Sequence, residues 1–321
     1  MALFATRLAG AVFTLWICAT TLFLIVHLAP GDPVAALGGE FQSGQTRNAE
    51  LVRLGLDKSI LDRYLVWMTN LMRGELGYSI QFNIPVAQAI TQRLPVTLSL
   101  VLPAVVLSSL LGTLLALWTA RRPGSTLDHS CSVVLLVLYA LPVYWVGHLL
   151  ITFFAVELGW FPVQGIRDLR HPAQGAWSIF VERSRYLSLP LLTLLTQQLA
   201  LIWLVVRAGL LNARHQPFYT AALARGLSVD SAMRRHALPI ASLSLITVIG
   251  VRVGALLTSA TLVETVFGLP GVGRLLVTAS LSRDYPLVLG IVLGAMVFVL
   301  IVNAITDSIY AWIDPRIGAQ T

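Results

Sequence analysis

The sequence predicts an all-α membrane protein with six transmembrane helices, and three observations carry that prediction. Of its 321 residues, 56% are hydrophobic and 12% charged, about half the charged share of a soluble domain. The mean hydropathy is +0.79. Six segments are long and apolar enough to span a bilayer: 8–28, 96–120, 132–156, 187–206, 238–262 and 287–309. The first has 21 residues, which at 1.5 Å per residue is about 32 Å, against a hydrocarbon core of about 30 Å. Helices satisfy their own backbone hydrogen bonds in lipid, so apolar runs of this length read as helices.

Segment 8–28 follows Arg7 and is too long for a signal-peptide core, and His27-Leu28-Ala29-Pro30 is a poor cleavage site. It is read as a retained span. Segment 29–95 follows it as a long connection outside the membrane, with six basic and six acidic residues. Within it, Ile60, Leu61, Tyr64, Leu65, Trp67, Met68, Leu71 and Met72 recur at helical spacing. They predict an amphipathic helix on the membrane surface or on other helices, ended by Gly74 and Gly77. Residues 85–93 read as a second short helix. The remaining five spans form a core over 96–321.

Arginine placement sets the orientation. Stretch 207–237 holds Arg207, Arg214, Arg225, Arg234 and Arg235 against Asp230 alone, and 121–129 holds Arg121 and Arg122 against Asp128. Both loops belong in the cytoplasm. Loop 263–286 balances two arginines with two acids and suits the outside. Six spans then leave both termini cytoplasmic.

Several function classes fall away. The net charge of +7 is accounted for by arginine at membrane edges, and no basic cluster interleaved with aromatics points to nucleic acid. Cys18 and Cys131 lie in or beside apolar runs, and the six histidines (His27, His129, His148, His171, His215, His236) form no metal-ligand spacing. The sole lysine is Lys58, preceded by Asp57. No Gly-Lys-Ser/Thr phosphate cradle is present, so ATP used by this protein must be hydrolysed by another chain. An intramembrane serine protease would need Gly-x-Ser-Gly and a facing His, and neither is found.

The chemistry concentrates in 207–237. Its centre reads Gln216-Pro217-Phe218-Tyr219-Thr220-Ala221-Ala222-Leu223-Ala224-Arg225-Gly226-Leu227-Ser228-Val229-Asp230. Pro217 suits a first helical turn. The alanines favour helix. Gly226 suits a left-handed stop. Ser228 can cap a following helix, with Asp230 at its positive end. Two short helices with a fixed bend are predicted, running into the fifth span at Leu238-Pro239. Ala221 and Ala222 would let another backbone approach closely, and Phe218 and Tyr219 would fill a pocket. A plain helical hairpin reads similarly.

This pattern resembles the coupling (EAA) loop of permeases of binding-protein-dependent ABC importers, in particular the B-type subunits of the dipeptide, oligopeptide and nickel family. Other strings share the likeness in order: Pro30-Gly31-Asp32-Pro33; Leu54-Gly55-Leu56-Asp57; Gly74-Glu75-Leu76-Gly77-Tyr78-Ser79; Arg93-Leu94-Pro95-Val96-Thr97; Leu141-Pro142-Val143-Tyr144-Trp145; Leu158-Gly159-Trp160-Phe161-Pro162; Pro270-Gly271-Val272-Gly273-Arg274; Arg283-Asp284-Tyr285-Pro286; and Asp307 with Asp314-Pro315-Arg316-Ile317. Thr220 departs from the pattern, standing where a charged residue is usual. The resemblance implies a non-enzymatic transport subunit of a bacterial or archaeal inner membrane. It further implies a homologous second permease, two cytoplasmic ATPases that bind ATP and Mg, and an external solute-binding protein. The docking loop would comprise Phe218, Tyr219, Thr220, Ala221, Ala222, Arg225, Gly226, Leu227 and Ser228. The cargo would be di- or oligopeptides, or alternatively nickel or a metal chelate.

Polar residues inside spans are the pore candidates, because charge is costly in hydrocarbon and turns inward. They are Gln197, Gln198, Arg252, Asn303 and Asp307, with Glu264 a candidate for lining the outer mouth or contacting the binding protein; a structural Arg–Asp pair or interface hydrogen bonds are the alternative use. An ion-coupled secondary transporter would need intramembrane carboxylates, and only Asp307 qualifies.

Overall fold

A computed structural model describes residues 2–28, 57–168, 170 and 174–313, with backbone alone at 2–8 and 310–313. Pro30-Gly31-Asp32-Pro33, Leu54-Gly55-Leu56 and Asp314-Pro315-Arg316-Ile317 lie outside these residues. Among the described residues the elements are helical, with one isolated antiparallel bridge between Tyr78 and Pro85. Among the described residues, five helices are long and apolar enough to cross a membrane, or six if one bent pair is a single span. The chain divides into two units, 1–95 with 271–300, and 96–270 with 301–321.

In the first unit, α1 (Ala2–Leu28) receives α2 (Ile60–Met72). The amphipathic helix starts and stops where its sequence pattern does. Ser59 caps it by accepting from the Asp62 amide, and Gly74 follows its end at φ +80°. Its Tyr64 and Trp67 rings stand 5.4 and 5.1 Å from that of Phe23, and Tyr64 shares a hydrogen bond with Thr20. Such aromatic pairs add about 0.5–1.5 kcal/mol beyond their burial. Next come α10 (Val272–Leu281) and the start of α11 (Tyr285–Ile313). Val86, Ala89, Leu275, Ala279, Leu287 and Ile291 form their core. Two of the motif strings meet here. Asp284, 1% exposed, caps α11 by accepting from the Leu287 amide, and also accepts from Ser79 Oγ and the Gln81 amide.

Helix α3 (Val86–Thr119) corrects one expectation. Residues 85–93 are not a separate short helix. The helix begins at Val86 and continues through Pro95 and Pro103, residues 86–95 belonging to the first unit and 96–119 to the second.

The second unit holds the other correction. The third span is not one straight helix. It comprises α4 (Thr126–Ala140) and α5 (Val143–Leu150), the latter extended by a π-helical stretch Ile151–Glu157, and the two halves diverge by 101°. The break falls at Pro142, whose ring disfavours helical backbone at the preceding residue, and Leu141 sits at φ −73°, ψ 136°. Helix α6 (Ala176–Arg214) is much longer than the predicted fourth span. Then follow α7 (Pro217–Ala224), α8 (Val229–Ala232), a π-helical Met233–Ala237, and α9 (Leu238–Val266). The last three form one run, 229–266, so the second short helix runs into the fifth span at Leu238-Pro239 as the sequence predicts.

Helices α6 and α9 make the most extensive contact in this unit. A Cβ added at Gly209 would lie 3.0 Å from the Ala241 Cβ. Small residues of this kind let backbones approach where no hydrophobic force separates protein from lipid. Away from such contacts the long helices expose apolar side chains. Val106, Leu110, Val133 and Val251, for example, are 55–75% exposed. This is what lipid as solvent requires.

Candidate functional site

The candidate site is the α6–α7–α8 turn. Helix α6 ends at His215, and Gln216 adopts an extended conformation before Pro217 opens α7. At the far end of α7, the Leu227 amide donates to the Ala222 carbonyl and the Gly226 amide to the Leu223 carbonyl. These two bonds, with Gly226 at φ +87°, form a Schellman motif. A side chain at this left-handed position costs about 1–2 kcal/mol. Ser228 then accepts from the Ser231 amide, capping α8 with Asp230 in its first turn.

Helical geometry turns α7 in one direction. Tyr219 and Ala222 are 3% and 4% exposed, packed in a cluster with Val206, Leu210, Ala213, Ala232, Met233 and Ala241. Positions three apart lie about 60° apart around a helix, so these two share the inward face. This corrects the expectation that Tyr219 enters a partner's pocket and Ala222 meets a partner's backbone: both anchor the helix to its own chain. Phe218, Thr220, Ala221, Leu223, Ala224, Arg225, Gly226 and Ser228 are exposed, and Leu227 is partly buried. The surface open to a partner is therefore Pro217, Thr220, Ala221 and Ala224, flanked by Phe218 and Leu223.

Two ionic clusters hold the turn. Asp230 accepts from Arg121 at 2.6 Å and from Arg234 at 2.7 Å, joining the α3–α4 turn to α8. Asp128, 2% exposed, is gripped by Arg207 through Nε at 2.8 Å and Nη2 at 2.6 Å, and accepts from the Gly124 amide. The Arg207 guanidinium lies 5.5 Å from the Trp203 ring, whose Nε1 donates to Thr119. Arg214 donates to the Ala120 carbonyl. On sequence alone these arginines reported only membrane orientation. No local spacing announces an Asp128–Arg207 pair 79 residues apart.

The pore candidates are distributed. Gln197 Nε2 donates to the Leu141 carbonyl at 3.2 Å, satisfying an acceptor at the α4 end. Gln198 and Arg252 come together around a cavity of about 20 Å³ shared with Ser108 and Leu256. Arg252 donates to the Tyr139 hydroxyl at 3.3 Å. Among the described residues no Arg252–Asp307 pair forms, and Asp307 is exposed while Asn303 is partly buried. Glu264 is 0% exposed and accepts from Thr97 at 2.6 Å. A fully buried carboxylate is not an open outer mouth, which corrects that expectation.

Comparison with known proteins places this architecture. The description "Binding-protein-dependent transport system inner membrane component" matches residues 112–319, and its N-terminal counterpart matches residues 1–101. The chain belongs to this family. The permease is 36% identical to the di/tripeptide transport system permease protein DppB of Pseudomonas aeruginosa (strain UCBPP-PA14) over 332 residues, covering 99% of each chain. It is 34% identical to the dipeptide transport system permease protein DppB of Escherichia coli (strain K12), covering 98% of each. It is 32% identical to the oligopeptide transport system permease protein AppB of Bacillus subtilis (strain 168), covering 92% of each. The permease is a multi-pass inner-membrane transport subunit of a binding-protein-dependent system, and not an enzyme.

Proposed function

We propose that the permease forms half of the translocation pathway of an ATP-driven importer of di- or oligopeptides, and that α7 receives the motion of a cytoplasmic ATPase. The cargo class rests on the peptide-transport names of its relatives. The coupling role rests on one observation: α7 is an exposed short helix locked between two long helices. Its inward face is buried through Tyr219 and Ala222, and its end is fixed by the Gly226 Schellman bonds. A push on such an element is passed to α6 and α9 before it is absorbed locally, and interconverting pore states are biased by that push.

The partners in this reading are a homologous second permease, two ATPases holding Mg-ATP, and an external solute-binding protein, with both termini of the chain cytoplasmic. Docking depends on shape, since Thr220 brings no charge to the contact. Arg252, Gln198 and Tyr139 are the polar groups nearest a pathway, and Arg252 suits the carboxylate of a peptide.

A photocrosslinking residue at Ala221 or Ala224 in the assembled transporter should trap the ATP-hydrolysing subunit, and one at Tyr219 should not. Absence of that adduct from Ala221 and Ala224 would remove the docking assignment. Uptake that collapses with an uncoupler and persists without the ATPases would instead favour an ion-coupled transporter.

A further inference from the structure

Within the first unit a cavity of about 260 Å³ opens between α1, α2 and the start of α11, lined by Lys58, Arg63, Trp67, Glu75 and Tyr285 among others. Its charge is uneven: two cations face one carboxylate. Arg63 is half-buried, and among the described residues its guanidinium has no ion-pair or hydrogen-bond partner. Burial works against the charge of Arg63, pulling its pKa down. A partly buried cation without an anion is an unfavourable arrangement that a bound anion relieves. Lys58 and Arg63 also flank the start of α2, where the helix dipole adds positive potential.

The depth of the cavity is set by two helix ends. His27, one residue before the end of α1, forms part of the wall, its ring stacked on Phe23 at 3.9 Å. Tyr285, the first residue of α11, forms another part. Both helices are candidate spans, Ala9–Leu28 and Tyr285–Ile309. A place where two apolar spans end is the boundary between hydrocarbon and water, and Trp67 and Tyr285 are the residue types that favour it. On the same two helices, apolar side chains remain uncovered. Ile25 and Leu28 on α1 are 63% and 64% exposed, and Leu61 and Met72 on α2 are 66% and 79% exposed. A water-soluble anion has no use for such neighbours. An anion that carries acyl chains does.

We propose that this cavity binds the phosphate headgroup of an anionic phospholipid, the acyl chains lying along the exposed faces of α1 and α2. Lys58 and Arg63 take the phosphate. Asn70 and Glu75, which also line the cavity, accept from headgroup hydroxyls such as those of glycerol. The excess positive charge selects a net-anionic headgroup over a zwitterionic one. The site ties α2 to the bilayer and makes the packing of α1, α2 and α11 sensitive to lipid charge.

The test is native mass spectrometry of the full chain in detergent, supplied with equal phosphatidylglycerol and phosphatidylethanolamine. Each basic residue near an anionic headgroup contributes about fivefold in binding. Wild type is expected to retain phosphatidylglycerol preferentially. Lys58→Gln and Arg63→Gln should each lower that retention about fivefold, while Arg63→Lys should keep it. Arg73→Gln, at the end of the same helix but outside the cavity, should also keep it, which separates a site from general loss of charge. Equal retention of both lipids by wild type, or unchanged retention in Lys58→Gln and Arg63→Gln, would overturn the proposal. So would displacement of phosphatidylglycerol by millimolar inorganic phosphate, which would mark a site for the free ion.

Discussion

Removing either partner of the Asp128–Arg207 pair should destabilise the second unit far more than removing a surface charge would. The Asp128 side chain is 2% exposed and that of Arg207 22%. The contact is bidentate and Asp128 also accepts from the Gly124 amide. Breaking a buried pair from one side costs about 3–5 kcal/mol, because it strands the remaining charge. The partial exposure of Arg207 lets water reach it, so about 3 kcal/mol is expected for Asp128→Asn. Removing both charges should cost less than the sum of the single changes, since neither is then stranded. A double-mutant cycle on Asp128→Asn and Arg207→Gln, read by denaturant unfolding in mixed micelles, isolates the coupling. The expected coupling energy is about 2–3 kcal/mol. Additivity within about 0.5 kcal/mol would refute the claim that this pair clamps the start of α4 to α6.

Substitutions at three further positions follow from the same geometry. Gly226→Ala should lower stability by about 1–2 kcal/mol through its left-handed backbone, and Gly226→Pro, which also deletes the bond to Leu223, should abolish uptake while the chain still inserts; normal uptake by Gly226→Pro at normal abundance would count against the fixed bend. Ala222→Glu should lower the melting temperature as well as uptake, because it places a carboxylate in an apolar cluster, and an unshifted melting temperature would contradict the inward orientation of that face. Gln197→Leu leaves the Leu141 carbonyl without its side-chain donor, so a loss of about 1–3 kcal/mol is expected; a neutral result in the unfolding assay would show that another group serves the bend.

The parts legible in the sequence were those whose physics is local. Apolar length announces a span because lipid leaves the backbone no other partner. Gly74, Pro217, Gly226 and Ser228 announce helix ends because caps act within a few residues. The 101° bend was not read, although Leu141-Pro142 was in view, because proline inside apolar helices is often tolerated. Pro95 and Pro103 lie within the continuous α3, and local sequence does not separate these cases. The inward face of α7 was also hidden. Periodicity shows that Tyr219 and Ala222 share a face, but the surface that covers it comes from Leu210, Met233 and Ala241. Likewise Ser79 and Asp284 stood in two separate strings, and only folding joins residues 205 positions apart.

Ala221→Glu tests the proposed docking face on α7 most directly. Ala221 is exposed, so a charge there costs the fold little, within about 0.5 kcal/mol. In proteoliposomes holding the assembled transporter, ATP-dependent dipeptide uptake should be lost in Ala221→Glu, together with retention of the ATPase subunits, while the melting temperature of the isolated chain stays at the wild-type value. Wild-type uptake with the ATPases still bound would contradict the assignment of α7 as the surface that receives the motor.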